Sequence, residues 1–368
     1  MDKNFLKTIL NRLSKMGCHE ADVFFSKSKT SSCSSRLGKI EKKEESSTNE
    51  IGIRAIINKK QSIVSTTNLE KQNVYNLTEK VVEMAKVVPE NQYCGLAESD
   101  KIKQVSKQEV QKLEICDTYE PTMSLIEKEV IKLEESALDN KEITNSEGAE
   151  IAYSKNSICL LGSNGLEIEM EKTHSDFIIA VLAGSKDSME REYDYKSKVF
   201  YNELGDFEKI GKEVSQNAIK KLNSRKLKTC KSDVIFDSKV SSSLLRNLFS
   251  ASNAQSIVKG ISFLKDKINN KVFNDRISII DDPLMPKKLR SKISDCEGIQ
   301  SKKKFLIEKG YLKFFFNSLA SAKQIKHEPS GHATRSASSI PSVSYSNLYM
   351  ENGEVSKIDM IKSLKKGL

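Results

Sequence analysis

The segment around Asn164-Gly165 constrains the fold more than any other part of the chain. An Asn-Gly pair between two patterned runs signals a two-residue hairpin, because both residues tolerate the positive φ that the turn requires. The run that follows alternates without a break, with Leu166, Ile168 and Met170 on one face and Glu167, Glu169 and Glu171 on the other. A period of two that sends one face to a core and the other to water marks an antiparallel sheet. Phe177 to Leu182 reads as a buried strand, and Met189 to Tyr195 as another.

The same pattern recurs upstream. Ala21, Val23 and Phe25 alternate in a half-buried strand over Ala21 to Lys27, and strand-like segments continue through Ser31 to Arg36 and Lys39 to Glu45. Ile51, Ile53, Ala55 and Ile57 lead to an Asn58-Lys59-Lys60 turn, from which Ser62 to Thr66 return. Helices separate these meanders. Phe5, Ile9, Leu10, Leu13 and Met16 form one stripe between Met1 and Met16, and Val74, Leu77, Val81, Met84 and Val88 form another, stopped by Pro89. Pro121 opens a helix with the stripe Ile126, Val130, Leu133 and Ala137, and Phe207, Ile210, Val214 and Ala218 mark a further one. The last region offers a strand at Asp233 to Phe236, a helix from Ser241 to Lys259, and a strand at Arg276 to Ile280 ended by Asp281-Asp282-Pro283. A hairpin follows, Phe305 to Ile307 with Tyr311 to Phe316, around Lys309-Gly310. Antiparallel hairpins interrupted by separate helices predict an α+β fold rather than a doubly wound parallel sheet. At 368 residues the chain exceeds one ordinary core. The expected domains are 1–100, 107–224 and 228–368, the last of them incomplete, with polar residues 89–106 as a linker.

Composition excludes several classes. The longest apolar run, Phe177 to Gly184, is far short of the roughly 20 residues of a membrane span, and lysines interrupt the N-terminal stripe where an export signal would be apolar. The seven cysteines are odd in number and share no zinc-knuckle or redox spacing, which fits a reducing compartment. A cytoplasmic protein is expected, with no membrane partner. The net charge of +10 comes from lysines scattered among glutamates, as in Lys39 to Glu45 and Glu127 to Glu135. Lys302 to Lys304 and Lys365-Lys366 are short basic runs without interleaved aromatics, so no nucleic-acid partner is expected.

One run has the composition of a metallopeptidase motif. His327, Glu328 and His332 spell His-Glu-x-x-x-His, but Pro329-Ser330-Gly331 between them is turn chemistry, and no helix can hold the two rings side by side. Asp281-Asp282 could bind a cation, but such a pair more often ends a strand in solvent. The hydroxyl-rich runs Thr30 to Ser35 and Ser241 to Ser243 suit a strand and a helix N-cap. No glycine-rich phosphate loop is present. The residues alone describe a multidomain α+β protein without visible catalytic machinery.

Several stretches nevertheless resemble the TldD/PmbA family. They are Ala21-Asp22-Val23-Phe24, Gly52-Ile53-Arg54, Ser65-Thr66, and Met189 to Tyr195. The most specific is Lys259-Gly260-Ile261-Ser262-Phe263-Leu264-Lys265-Asp266-Lys267, with Ile279 to Leu284 beyond it. Asp295-Cys296-Glu297-Gly298, Ser330-Gly331-His332-Ala333 and Ser346-Asn347-Leu348-Tyr349 complete the pattern, and Ser262 to Lys267 resembles the PmbA (TldE-like) branch. TldD-type subunits of this family carry His-Glu-x-x-x-His on the helix before the Lys-Gly matched by Lys259-Gly260. Counted back from that anchor, the positions here are Leu245, Arg246 and Ser250, none of which can replace histidine or glutamate. The resemblance therefore implies a non-catalytic subunit with no metal site, no catalytic residue and no cofactor of its own. Its partner would be a TldD-like subunit that holds zinc and cuts small unfolded peptides. A modulator of DNA gyrase and a metallopeptidase active in its own right are the alternatives. Family TldD-type subunits also take a cysteine ligand near the C-terminus; Cys296 is not assigned that role. The family pattern continues beyond the point matched by Leu368, so a C-terminally shortened form is expected. Its terminal segment, Ile358 to Leu364, could form a helix that covers an open sheet edge. Ser330, Gly331, His332, Arg335, Asn347 and Tyr349 are the expected substrate-cavity surface.

Overall fold

The computed structural model of the chain describes residues 2–185, 188–364, 366 and 367. Met1 and Lys365, each at the end of a reading above, lie outside them. The fold is α+β. Helix α1 (Lys3–Lys15) leads into strands β1 (Glu20–Arg36), β2 (Lys39–Ile57) and β3 (Lys60–Thr66), then helix α2 (Lys71–Val87). After α3 (Lys107–Lys112) and α4 (Met123–Leu138) come β4 (Ile143–Gly162), β5 (Glu167–Ala183), β6 (Glu190–Lys198) and helix α5 (Phe207–Lys220). These six strands form one antiparallel sheet in the order β3-β2-β1-β4-β5-β6. The first two sequence units thus share a sheet, joined where β1 pairs with β4 from Asp22↔Gly162 to Ser35↔Ala149.

β1 and β2 run for 17 and 19 residues, where the sequence suggested separate short segments. The polar stretch Ser26 to Thr30 has no core of its own. It stays extended because β2 and β4 flank it and both its backbone edges are paired. The part of β2 beyond the reach of β3 carries Lys42, Lys43, Glu44 and Glu45, charges that discourage pairing with another chain.

Each unit keeps its own core on the sheet. Leu6, Ile9 and Leu13 of α1 and Val74, Val81 and Ala85 of α2 pack on Val23, Phe25, Ile51 and Ile53. Ile126, Val130 and Leu133 of α4 and Phe207 and Val214 of α5 pack on Ile151, Tyr153, Phe177 and Ile179. The opposite face is also covered. Phe24, Leu160, Leu166 and Ile168 meet Ala97 and Ile102 of the segment after α2 and Leu319 and Ala337 of the third region. Ala21 to Phe25 is therefore buried on both faces, not half-buried as its alternation suggested. The supposed linker contributes to this packing through buried Cys94, Ala97 and Ile102.

The third region is built from short pieces. Helices α6 (Ser238–Ser252) and α7 (Ala254–Val258) replace the single expected helix. It breaks at Asn253, whose side chain caps α7 through Gln255 N at 2.9 Å. Strands β7 (Ile279–Asp281), β8 (Lys304–Glu308), β9 (Tyr311–Leu312) and β12 (Leu348–Met350) form a four-stranded sheet in the order β12-β7-β8-β9. Between them lie α8 (Leu319–Ile325) and the pair β10 (Ala333–Thr334) and β11 (Ser342–Val343), and helix α9 (Lys357–Ser363) follows β12. The core here is Leu248, Leu264, Ile279, Leu306, Ile307, Leu312 and Phe316. The strand expected at Asp233 to Phe236 does not form. Val234 and Phe236 are exposed, so their alternation has no surface to bury against. Helix α9 buries no residue.

Candidate functional site

The third region meets the large sheet through buried ionic groups. Asp22 of β1 stands opposite Arg54 of β2 in register. Arg54 Nε donates to Asp22 Oδ2 at 2.8 Å, and Arg335 of the third region donates to the other carboxylate oxygen. All three side chains are nearly inaccessible. Burial alone would raise the Asp22 carboxyl, but the guanidiniums of Arg54 and Arg335 outweigh it and hold the group below the usual carboxylate range. The chain just beyond Arg335 lies against β2 at Gly52, where an added Cβ would fall 1.8 Å from the Ala337 carbonyl oxygen. Only glycine admits that approach.

A second acidic group lies beside it. Asp295 accepts backbone N–H groups from Glu297, Ile299 and Ala333 at 2.9–3.0 Å. Glu297 accepts from Leu319 N at 2.7 Å, at the start of α8. Burial first, and then the neighbouring Asp295 charge, push the Glu297 carboxyl up to about 8. Burial likewise raises the Cys296 thiol well above its usual range, so it is an inert interior group.

The third constellation superficially resembles a nucleophile relay. His332 Nε2 lies 3.0 Å from Asp281 Oδ2, and His332 Nδ1 lies 2.9 Å from Ser330 Oγ. Ser330 Oγ also accepts from Asn317 N at 2.9 Å and faces Asn317 O at 3.1 Å, which leaves it no free direction of attack. Phe314 and Phe316 cover the imidazole, with ring centroids 5.6 and 4.7 Å away. Burial lowers the His332 pKa despite the raising effect of Asp281, so the ring is neutral. His332→Ala is expected to lower stability by about 2–4 kcal/mol, because it opens a cavity and leaves Asp281 Oδ2 unpaired. Chemical denaturation at neutral pH measures this, and a variant as stable as the parent would show that the trio is dispensable.

Of the six expected cavity residues, the structure packs four into this seam. Ser330, Gly331 and His332 are buried, and the Arg335 side chain is wholly enclosed against Asp22. Ser330 only touches the floor of a hollow of about 460 Å³. Asn347 Nδ2 donates to Asp282 O at 2.8 Å and Ser291 Oγ at 2.9 Å, and Tyr349 pairs with Ile280 within the small sheet. These contacts tie each residue into the fold, and Asn347 also lines a hollow beside β12. A glycine with two polar neighbours looks the same in sequence whether it hugs a ligand or another loop. His327 and Glu328 are exposed on a loop and His332 is buried, so the His-Glu-x-x-x-His of 327–332 does not converge. Among the described residues, no group of three or more His, Cys, Asp or Glu could hold a metal ion.

Leu245, Arg246 and Ser250 all lie on α6, ahead of the Lys259-Gly260 anchor. Arg246 and Ser250 are exposed one turn apart, and Ser250 Oγ donates to Arg246 O at 3.1 Å. An aliphatic chain, a guanidinium and a hydroxyl bonded to its own helix are not a zinc donor set. The residues at these positions do not fit the metal that the family resemblance implies for TldD-type subunits. Apolar side chains stand exposed nearby in sequence: Val234, Phe236, Val240 and Leu244 before and on α6, and Val258, Ile261 and Phe263 after it.

Residues 21–85, 110–222 and 229–368 match, in turn, domain 1, the central domain and the C-terminal domain of the PmbA/TldA metallopeptidases. This chain belongs to the PmbA/TldD metallopeptidase family. It is a PmbA/TldE-like member. Two Buchnera aphidicola proteins named metalloprotease PmbA homolog are similar to it. The one from subspecies Acyrthosiphon pisum is 25% identical over 99% of this chain and 79% of its own length. For the one from subspecies Baizongia pistaciae, the figures are 26%, 74% and 61%. The similarity to this second relative thus spans less than two thirds of that protein. Among solved structures, a candidate modulator of DNA gyrase from Bacteroides thetaiotaomicron superposes with a TM-score of 0.86 at 21% identity, covering 99% of this chain and 80% of that one. TldE from Thermococcus kodakarensis gives 0.83 at 22% identity, covering 98% and 81%. At such identities the structural likeness speaks for the fold alone. Among the described residues, no helix is long and apolar enough to cross a membrane.

Proposed function

We propose that this chain is a non-catalytic, cytoplasmic subunit of a TldD-type metallopeptidase complex that degrades or processes small unfolded peptides. The observation that carries the proposal is the identity of Leu245, Arg246 and Ser250 on α6, where a catalytic subunit would present two imidazoles and a carboxylate. A hydrolytic zinc site needs about three protein ligands, an open water position and a carboxylate beside that water. On this reading the zinc belongs to a TldD-like partner, and this chain contributes a wall of the shared chamber. The exposed apolar residues on and beside α6 support pairing, since a partner would remove them from water.

The test is to purify the chain alone and together with a TldD-like subunit. Alone, it is expected to carry no stoichiometric zinc and to cut no unstructured peptide. Co-expressed, the two chains should co-purify, and the pair should cleave with zinc held by the partner. Stoichiometric zinc on the isolated chain, lost on His327→Ala, would instead favour a peptidase active in its own right. The description of one structural relative as a candidate gyrase modulator motivates the second reading. A modulator would bind gyrase or DNA without a second chain, and DNA binding would fall steeply with salt.

A further inference from the structure

The seam between the end of β6 and the third region contains a basic pocket that the subunit reading does not use. Its volume is about 290 Å³, and it is lined by Ser197, Lys198, Lys287, Lys288, Leu289, Arg290 and residues 345–348. Four of these ten residues are cationic and none is acidic. At its wall Ser346 is 1% exposed, and its Oγ has no hydrogen-bond partner among the described residues. That oxygen is itself inaccessible, so the charge of the wall rests on the four cations.

Neighbouring groups neutralise the pocket only in part. Lys287 Nζ lies 3.5 Å from a Glu114 carboxylate oxygen and 5.0 Å from the Phe200 ring centroid. Arg290 Nη1 donates to Ser344 Oγ at 3.1 Å and reaches Tyr345 O at 3.4 Å, bonds that fix the guanidinium without neutralising it. Asp281 lies behind the pocket, accepting Ser346 N at 2.7 Å, and is already engaged by His332. Asp282 faces Lys303 at 3.9 Å. No ion pair is found for Lys198 or Lys288 among the described residues.

The geometry points to a binding site for a small oxyanion, a carboxylate or a phosphoryl group, held by Lys198, Lys288 and Arg290. Anionic oxygens accept strong charge-assisted bonds from lysine and arginine, and the planar guanidinium adds direction to that charge. The volume suits a headgroup or chain terminus rather than a whole drug-sized ligand. A peptide C-terminus and a phosphate ester are the two sources of this chemistry.

The full chain can be titrated with inorganic phosphate, followed by phosphorus NMR line width. In parallel it is titrated with an N-acetylated dipeptide and with that dipeptide's C-terminal amide, followed by calorimetry. We expect saturable binding of at least one free oxyanion and none of the amide. Lys198→Glu with Lys288→Glu should weaken it by about tenfold or more. Lys7→Glu, an exposed lysine on α1, is the control and should leave binding unchanged. Preference for the dipeptide assigns a peptide terminus, and preference for phosphate assigns a phosphoryl group. Absence of saturable binding, equal binding of the amide, or equal weakening by Lys7→Glu each overturns the site. The measurement needs no second subunit, so its failure leaves the pairing proposal untouched.

Discussion

Arg335→Ala is expected to cost about 3–5 kcal/mol of stability, the usual penalty for removing one partner of a buried ion pair. Asp22 would keep Arg54 but lose the cation on its second oxygen, and the enclosed space around Phe24 would open. Against a total stability of typically about 5–15 kcal/mol, that loss decides whether the third region stays docked on the large sheet. Replacing the whole trio by apolar residues of similar size should be much milder, because the penalty lies in the uncompensated charge rather than in any large net gain from the pair. Urea denaturation of Arg335→Ala at neutral pH provides the measurement. A midpoint within error of the parent protein would show that the trio does not hold the seam. The pH dependence follows from the direction of the Asp22 shift. Its folded pKa is depressed, so its contribution is present above the unfolded carboxylate range near 3.9 and is lost as pH falls through the lower folded value.

Glu297 should behave in the opposite sense. Its folded pKa is raised from 4.5 to about 8, so the folded state binds the proton more tightly than the unfolded chain does. Its contribution is full below about 4.5 and is lost as pH rises toward 8. At about 1.4 kcal/mol per pH unit, the parent protein is expected to lose a few kcal/mol across that window from the Asp295–Glu297 pair. The proton belongs to the Asp295–Glu297 pair. It rests on Glu297, because three backbone N–H groups favour the charged form of Asp295 and only one serves Glu297. Glu297→Gln keeps an acceptor for Leu319 N and removes the titration. The variant should be flat between pH 5 and 8 and more stable than the parent at pH 8. Parallel stability curves for the two proteins would refute the assignment.

Much of the α+β architecture could be read from the residues. The alternation around Asn164-Gly165, the Ile51 to Ile57 run and the three-four stripes on α1, α4 and α5 each became a core face, because burial of one face is a local periodic property. Helix α2 instead buries Val74 and Val81 of its stripe together with Thr78, Val82 and Ala85. The absence of metal donors at Leu245, Arg246 and Ser250 was equally local, since it depends on which atoms those side chains carry. What failed depended on distant partners. Ala21 to Phe25 is buried on both faces because Leu319 and Ala337, some 300 residues later in the chain, cover the side that alternation assigned to water. Asp22, Arg54 and Arg335 carry no sequence signal as a trio, and neither do Asp281, Ser330 and His332. The first trio comes together only when the third region docks and the second only when that region itself folds, and desolvation then makes a bare charge expensive and a paired one indispensable. The residues by themselves determined which segments could be helices, which could be strands, and that Leu245, Arg246 and Ser250 carry neither imidazole nor carboxylate. Only the tertiary structure decided that the glycine-histidine loop packs inward as a clasp, and that the end of β6 and the third region enclose a basic pocket. Periodicity is written along the chain, whereas burial of a polar group is a property of the space between its segments.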